Sequence, residues 1–269
     1  MKFLLVFLWG IFFCLNVQAA PNRNISGFVL FDLPNINNLA PISKQYERRE
    51  MPDLNLDNAG DLTIIIYSHG QKTSQGEEDC TKPWNQIPLS LRILTKNNNT
   101  YFYYLCSKST DDGVWGSYIY KKKKEFNKLL DQLISAGVKP KNIFLSGWSA
   151  GGWASLMMMD QVEKKFNSAI VFAPAFAGPR NFEYPVWRKV IRPRQVKEMT
   201  EAKKIKALIF AYEDDAYNRP KELNFLKEIY PDTVELVGYK CGNGHDTIHD
   251  DCKLDETKKI IENYIQNSR

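Results

Sequence analysis

The sequence predicts an α/β protein: a mostly parallel, doubly wound sheet with helices on both faces and no large lid domain. Two observations carry this. Leu62 to Tyr67 (Leu-Thr-Ile-Ile-Ile-Tyr) is a nearly continuous apolar, β-branched run, which suits a strand buried on both faces. Strand-like and helix-like segments then alternate to the C-terminus, the pattern of βαβ units.

Taken in order, residues 26–32 read as an early strand, and Pro34 to Asp61, rich in Asn, Pro and Asp, as mostly loop. After the strand at 62–67, Pro88 to Lys96 reads as a short helix and Tyr101 to Cys106 as a strand. Tyr118 to Ala136 is a helix, with an apolar stripe at Phe126, Leu129, Leu130, Leu133 and Ile134 and Gly137 placed to end it. Asn142 to Ser146 is a strand, Ala150 to Phe166 a helix and Ala169 to Ala173 a strand. Glu198 to Ala202 is weakly helical. Ile205 to Tyr212 is a strand, Pro220 to Ile229 a helix, Thr233 to Tyr239 a strand and Asp255 to Gln266 a closing helix. Only about thirty residues lie between the strands at 169–173 and 205–212, so any lid there is small.

The first 19 residues read as a signal peptide. Lys2 precedes an apolar run from Phe3 to Val17, broken by Gly10 and Asn16, and small residues follow at Ala19 and Ala20. The run is short of the ~20 residues a membrane span needs. Residues 20–269 are then expected as one exported domain, secreted or periplasmic, with no stable membrane anchor. Cys14 leaves with the leader. Cys80, Cys106, Cys241 and Cys252 remain, an even set that in an oxidising compartment implies disulfides. Closeness in sequence favours Cys80 with Cys106 and Cys241 with Cys252, the other two connectivities remaining open. The net charge of +5 is mild. Lys121 to Lys124 open the amphipathic helix as a solvated face, and Arg188 to Lys197 reads as an exposed basic loop. No nucleic-acid motif is present, and no nucleic-acid partner is expected. Oligomeric state is not legible.

In sheets of this kind, sites form at the C-terminal ends of the strands. There the strand at 142–146 runs into Gly147-Trp148-Ser149-Ala150-Gly151-Gly152 and then a helix. This is G-x-S-x-G in a strand–turn–helix setting. The glycines permit a turn tight enough to project the Ser149 hydroxyl from the sheet, at a helix N-terminus that favours negative charge.

With this motif, the chain from Leu62 to the C-terminus resembles the α/β-hydrolase superfamily, in particular its small lidless serine esterases and dienelactone-hydrolase-type enzymes. The resemblance implies serine, acid and histidine in that order. Of three histidines, His69 precedes the serine. His245, in Gly242-Asn243-Gly244-His245 after the last strand, is similar to the family's Gly-His loop, and His249 is the competitor. The acid is expected after the strand at 205–212, in Glu213-Asp214-Asp215; Asp215 fits the family pattern and Asp214 competes with it. The oxyanion hole is implied to use the backbone N–H groups of Ala150 and of a residue in Ser68-His69-Gly70-Gln71, for which Gln71 is the choice. This loop departs from the glycine-rich lipase form.

Those parts imply an acyl-enzyme on Ser149, with His245 as base and Asp215 orienting it, and a small-molecule or polymeric acyl substrate. The expected reaction is carboxylic ester hydrolysis. Peptide hydrolysis, acyl transfer and a non-catalytic binding scaffold are the alternatives. Trp115, Trp148, Trp153, Phe176 and Phe182 are candidates for an aromatic-accepting pocket. No cofactor is expected. A metal at His245, Asp246, His249 and Asp250 is the other chemistry this segment offers, and it is not favoured because no ligand from elsewhere joins it.

Overall fold

A computed structural model describes residues 26–31, 46–49, 59–74, 78–96, 100–111, 116–176, 187–250 and 252–269. Its centre is an eight-stranded sheet: β1 (Gly27–Phe31), β2 (Tyr46–Arg49), β3 (Thr63–Ser68), β4 (Thr100–Leu105), β5 (Ile143–Trp148), β6 (Ser168–Phe172), β7 (Ala207–Tyr212) and β8 (Val234–Tyr239). The spatial order is β2-β1-β4-β3-β5-β6-β7-β8. β1 runs antiparallel to both its neighbours, and β4 through β8 pair in parallel. β2 lies inside the stretch expected to be mostly loop.

Seven α-helices cover the sheet among the described residues: α1 (Glu78–Thr81), α2 (Leu89–Arg92), α3 (Ser117–Ser135), α4 (Ala150–Leu156), α5 (Arg192–Thr200), α6 (Pro220–Ile229) and α7 (Leu254–Ser268). The strand pleat explains how one apolar run serves two cores. Ile64 and Ile66 face the layer of α3, α4, α5 and α6, where Phe126, Trp153, Met199 and Leu226 pack. Ile65 and Tyr67 face the layer of α1, α2 and α7, with Cys80, Leu91 and Ile261. Burying these side chains on both faces contributes roughly 1.5–3 kcal/mol apiece, and it leaves only the strand ends free to carry chemistry.

Lys122, expected on a solvated face of α3, is fully buried, and two other helices differ from expectation in extent or kind. α4 stops at Leu156 instead of continuing to Phe166. Met157, Met158 and Met159 are all buried. All seven residues of α4 are buried as well, so burial does not mark where this helix ends. After it the chain passes through a 3₁₀ turn, Met159–Gln161, and returns through a bridge between Val162 and Phe166. The segment read as an exposed basic loop is a π turn, Trp187–Ile191, followed by α5. Ile191, Gln195 and Met199, four residues apart, bury one stripe. Pro193 sits in the first turn, where a missing N–H costs nothing. The stripe is short and includes a glutamine, which hides its period among six cationic or acidic neighbours.

Both cysteine pairs are bonded as closeness in sequence suggested: Cys80 to Cys106, and Cys241 to Cys252. No helix among the described residues is long and apolar enough to cross a membrane. The leader expected at 1–19, Trp115 and Phe182 lie outside the described residues.

Candidate active site

β5 ends at Trp148, and the next residue turns the chain into α4. Ser149 has φ 52° and ψ −121°, a conformation that a non-glycine residue rarely adopts. Its backbone is held on both sides. The Ser149 N–H donates to the Phe172 carbonyl at 3.1 Å, and its own carbonyl accepts from Ala175 N–H at 3.2 Å and Trp153 N–H at 2.9 Å. The motif glycines are needed for proximity. A Cβ on Gly151 would lie 2.0 Å from the Ser68 carbonyl oxygen, and one on Gly147 would lie 2.6 Å from the same atom. The end of β3 therefore presses directly against the turn.

Three side chains from three strand ends meet there. His245 Nε2 lies 2.9 Å from Ser149 Oγ, and His245 Nδ1 lies 2.9 Å from Asp215 Oδ2. Asp215 is fully buried, and its other oxygen accepts the Tyr217 N–H at 2.6 Å. Asp214 points elsewhere and is exposed; its carboxylate accepts the Gly244 N–H at 3.2 Å and so fixes the histidine loop. Gly244 has φ 53°, and a Cβ there would sit 2.9 Å from the Asp214 carbonyl oxygen, so the glycine before the histidine is required twice over. The Cys241–Cys252 bond closes the same loop.

The imidazole is packed as well as hydrogen-bonded. Its ring centroid is 4.2 Å from that of Tyr217 and 5.1 Å from that of Trp148. Trp148 Nε1–H donates to the His245 carbonyl at 2.9 Å. Burial and the nearby Asp215 and Asp246 carboxylates raise the Tyr217 phenol above its ordinary pKa, so it stays neutral beside the histidine. Both ring nitrogens of His245 are engaged, which leaves none for a metal shared with Asp246 and Asp250. The His249 side chain lies outside the described residues. His69, Cys80 and Cys106 cluster closely, yet the two sulfurs are bonded to each other and offer no thiolate.

The loop after β3 lies beside the serine. The Gly70 N–H is taken by Asn85 Oδ1 at 3.0 Å. No described group accepts the Gln71 N–H, and Ala150, first in its helix, has no acceptor within it. Gln71 and Ala150 both line the cleft, of about 430 Å³, that opens over Ser149 and His245.

Of the expected aromatics, Trp148 and Phe176 line this cleft. Trp153 does not: it is fully buried and donates to Gln195 Oε1 at 2.9 Å. Trp84 and Tyr217 line the cleft without having been singled out in the sequence. Tyr217 was findable, standing two residues beyond Asp215. Trp84 comes from a segment remote in sequence, and nothing in its neighbourhood marks it.

No protein-family model matches the chain, and no curated protein matches it. Solved structures do. Esterase 2 of Thermogutta terrifontis superposes with a TM-score of 0.55 at 16% identity, covering 80% of this chain and 86% of that one. The chain has the α/β-hydrolase fold. A Mycobacterium tuberculosis puromycin-hydrolyzing peptidase is similar with a TM-score of 0.58 at 12% identity, over 78% of this chain and 35% of that one. A protein described as a dipeptidyl aminopeptidase IV, from Bacteroides ovatus, gives 0.56 at 16%, over 80% and 32%. The chain thus spans about a third of the length of the two peptidase-type proteins and most of the esterase. Within this α/β-hydrolase fold, the described residues between β6 and β7 form only the π turn and α5, with no large lid.

Proposed function

We propose that this chain is an exported serine hydrolase that cleaves carboxylic esters through an acyl-enzyme on Ser149. The observation that carries the reading is the unbroken relay from buried Asp215 through both nitrogens of His245 to Ser149 Oγ, each link 2.9 Å, at the floor of an open cleft.

The steps follow from the geometry. His245 Nε2 removes the Ser149 proton as Oγ attacks the acyl carbonyl. Asp215 holds the Nδ1–H tautomer and stabilises the imidazolium that forms. The N–H groups of Ala150 and Gln71 receive the oxyanion. The imidazolium then protonates the leaving alkoxide, and a water activated by the same imidazole releases the acid. The esterase neighbour shares most of its length with this chain, and the described residues between β6 and β7 form no large lid, which suits small or polymeric acyl substrates. Export is supported by the two disulfides and by the apolar leader read in residues 1–19.

One experiment tests the whole reading. The full chain is expressed with its leader, and the soluble exported fraction is treated with a fluorophosphonate probe beside Ser149→Ala. Native protein is expected to label and to hydrolyse short p-nitrophenyl esters faster than peptide anilides. Its N-terminus is expected near Ala20 by mass spectrometry. Labelling that survives Ser149→Ala removes the nucleophile assignment, faster anilide cleavage favours the peptidase reading, and a retained leader removes export.

A further inference from the structure

We infer that Tyr118 and Lys122, one turn apart on α3, form a two-point clamp that aims the Gln71 N–H into the cleft. This rests on the hydrolase reading above and adds positioning residues to it.

The argument turns on two consecutive peptide planes. In the plane joining His69 to Gly70, the carbonyl accepts from Lys122 Nζ at 3.1 Å and the N–H donates to Asn85 Oδ1 at 3.0 Å. In the plane joining Gly70 to Gln71, the carbonyl accepts from the Tyr118 hydroxyl at 3.3 Å. A trans peptide directs its N–H opposite to its carbonyl. Fixing the Gly70 oxygen toward α3 therefore turns the Gln71 N–H away from α3. That N–H is the one this stretch leaves without a described acceptor. Rotation of either plane would withdraw it.

The clamp is built into the core. Tyr118 and Lys122 are both fully buried, and Lys122 Nζ also donates to Ser68 Oγ at 2.9 Å and lies 5.1 Å from the Tyr118 ring centre. No carboxylate of the described residues forms an ion pair with Lys122; Glu125 acts on it only at longer range, and Lys72 opposes its charge. A lysine kept in such a place needs a reason, because burying a cation without a close counter-ion is costly. The far side of the loop is stitched to the end of β4: Lys72 donates to the Ser107 carbonyl at 2.9 Å, and the Ser107 N–H donates to His69 Nε2 at 3.0 Å. Gly70 has no room to shift, since even a Cβ would meet the Trp148 ring at 2.8 Å.

Tyr118→Phe and Lys122→Met test this on the purified exported protein. An oxyanion donor acts on the transition state and not on ground-state binding. Each variant, with its melting curve checked for an intact fold, is expected to lose about 10- to 100-fold in kcat on p-nitrophenyl acetate, with KM within about 2-fold. The inhibition constant of a trifluoromethyl ketone, whose adduct with Ser149 carries the oxyanion, is expected to rise by the same factor. Folded variants with kcat within about 2-fold of native, or with KM rising as kcat falls, overturn the clamp alone. Native protein that turns over no ester overturns the hydrolase reading and the clamp with it.

Discussion

At the level of single residues, the adjacent carboxylates Asp214 and Asp215 illustrate how environment divides labour. One is sealed against the imidazole; the other is in water and ties down Gly244. Asp215→Asn is expected to lower kcat on a short ester by roughly 10³- to 10⁴-fold, because the amide no longer stabilises the tautomer that presents Nε2 to the serine. Asp214→Asn keeps an oxygen for the Gly244 N–H and is expected to stay within about 10-fold. Comparable losses in the two variants would reverse the assignment. The strained backbone of Ser149 belongs to the same scale. Holding a non-glycine residue in that region costs about 1–3 kcal/mol, offset here by three backbone hydrogen bonds, to Phe172 at the end of β6, to Ala175 just beyond it and to Trp153 in α4.

Among the elements, the histidine loop is anchored least by regular structure and most by covalent bonding. Gly244 to His249 form a single 3₁₀ stretch between Cys241 and Cys252. Cross-linking so short a loop removes on the order of 3 kcal/mol of freedom from the unfolded chain. Replacing both cysteines by serine is expected to lower the melting temperature by several degrees and to lower kcat, since the ring loses its fixed approach to Ser149. A melting curve and an ester assay read this, and unchanged values in both would show that Trp148 and Tyr217 suffice to hold the ring. The sequence made much of this level readable. Strand runs such as 62–67 announce themselves because parallel strands carry apolar residues on both faces. α6 was readable to the residue, as Pro220 opens it and its apolar period is clean. α5 and the early end of α4 were not: the buried stripe of α5 is short and includes a glutamine, and the apolar run of α4 continues unbroken past Leu156 through Met157, Met158 and Met159. The cleft was half legible for the same reason. Ser149, Asp215 and His245 stand at strand ends in a recognisable pattern, whereas Trp84, Asn85, Tyr118 and Lys122 reach the site only through the topology.

For the molecule as a whole, the buried lysine beneath the site should register in stability. Burial, opposed by Glu125 and reinforced by Lys72, brings Lys122 down to about 7 from an ordinary 10.5. Between those values the unfolded chain holds a proton that the folded chain has released. Stability from this group therefore rises with pH across that window and is least below pH 7. The difference in urea unfolding free energy between native protein and Lys122→Met should move in favour of native as pH goes from about 6.5 to 9.5. A difference that stays level, or moves the other way, would mean that the ammonium is not desolvated in the folded state.

Trp148 touches the loops on both sides of the turn. Its N–H holds the His245 backbone, its ring abuts the His245 ring, and its edge stands against Gly70. One indole is thus a common wall for the loops that carry His245 and Gln71. Neither can swing aside to admit a bulky guest without displacing the other. The walls of the cleft are then set jointly by both loops, and its least constrained side is the mouth, where Trp84 lies nearly half exposed.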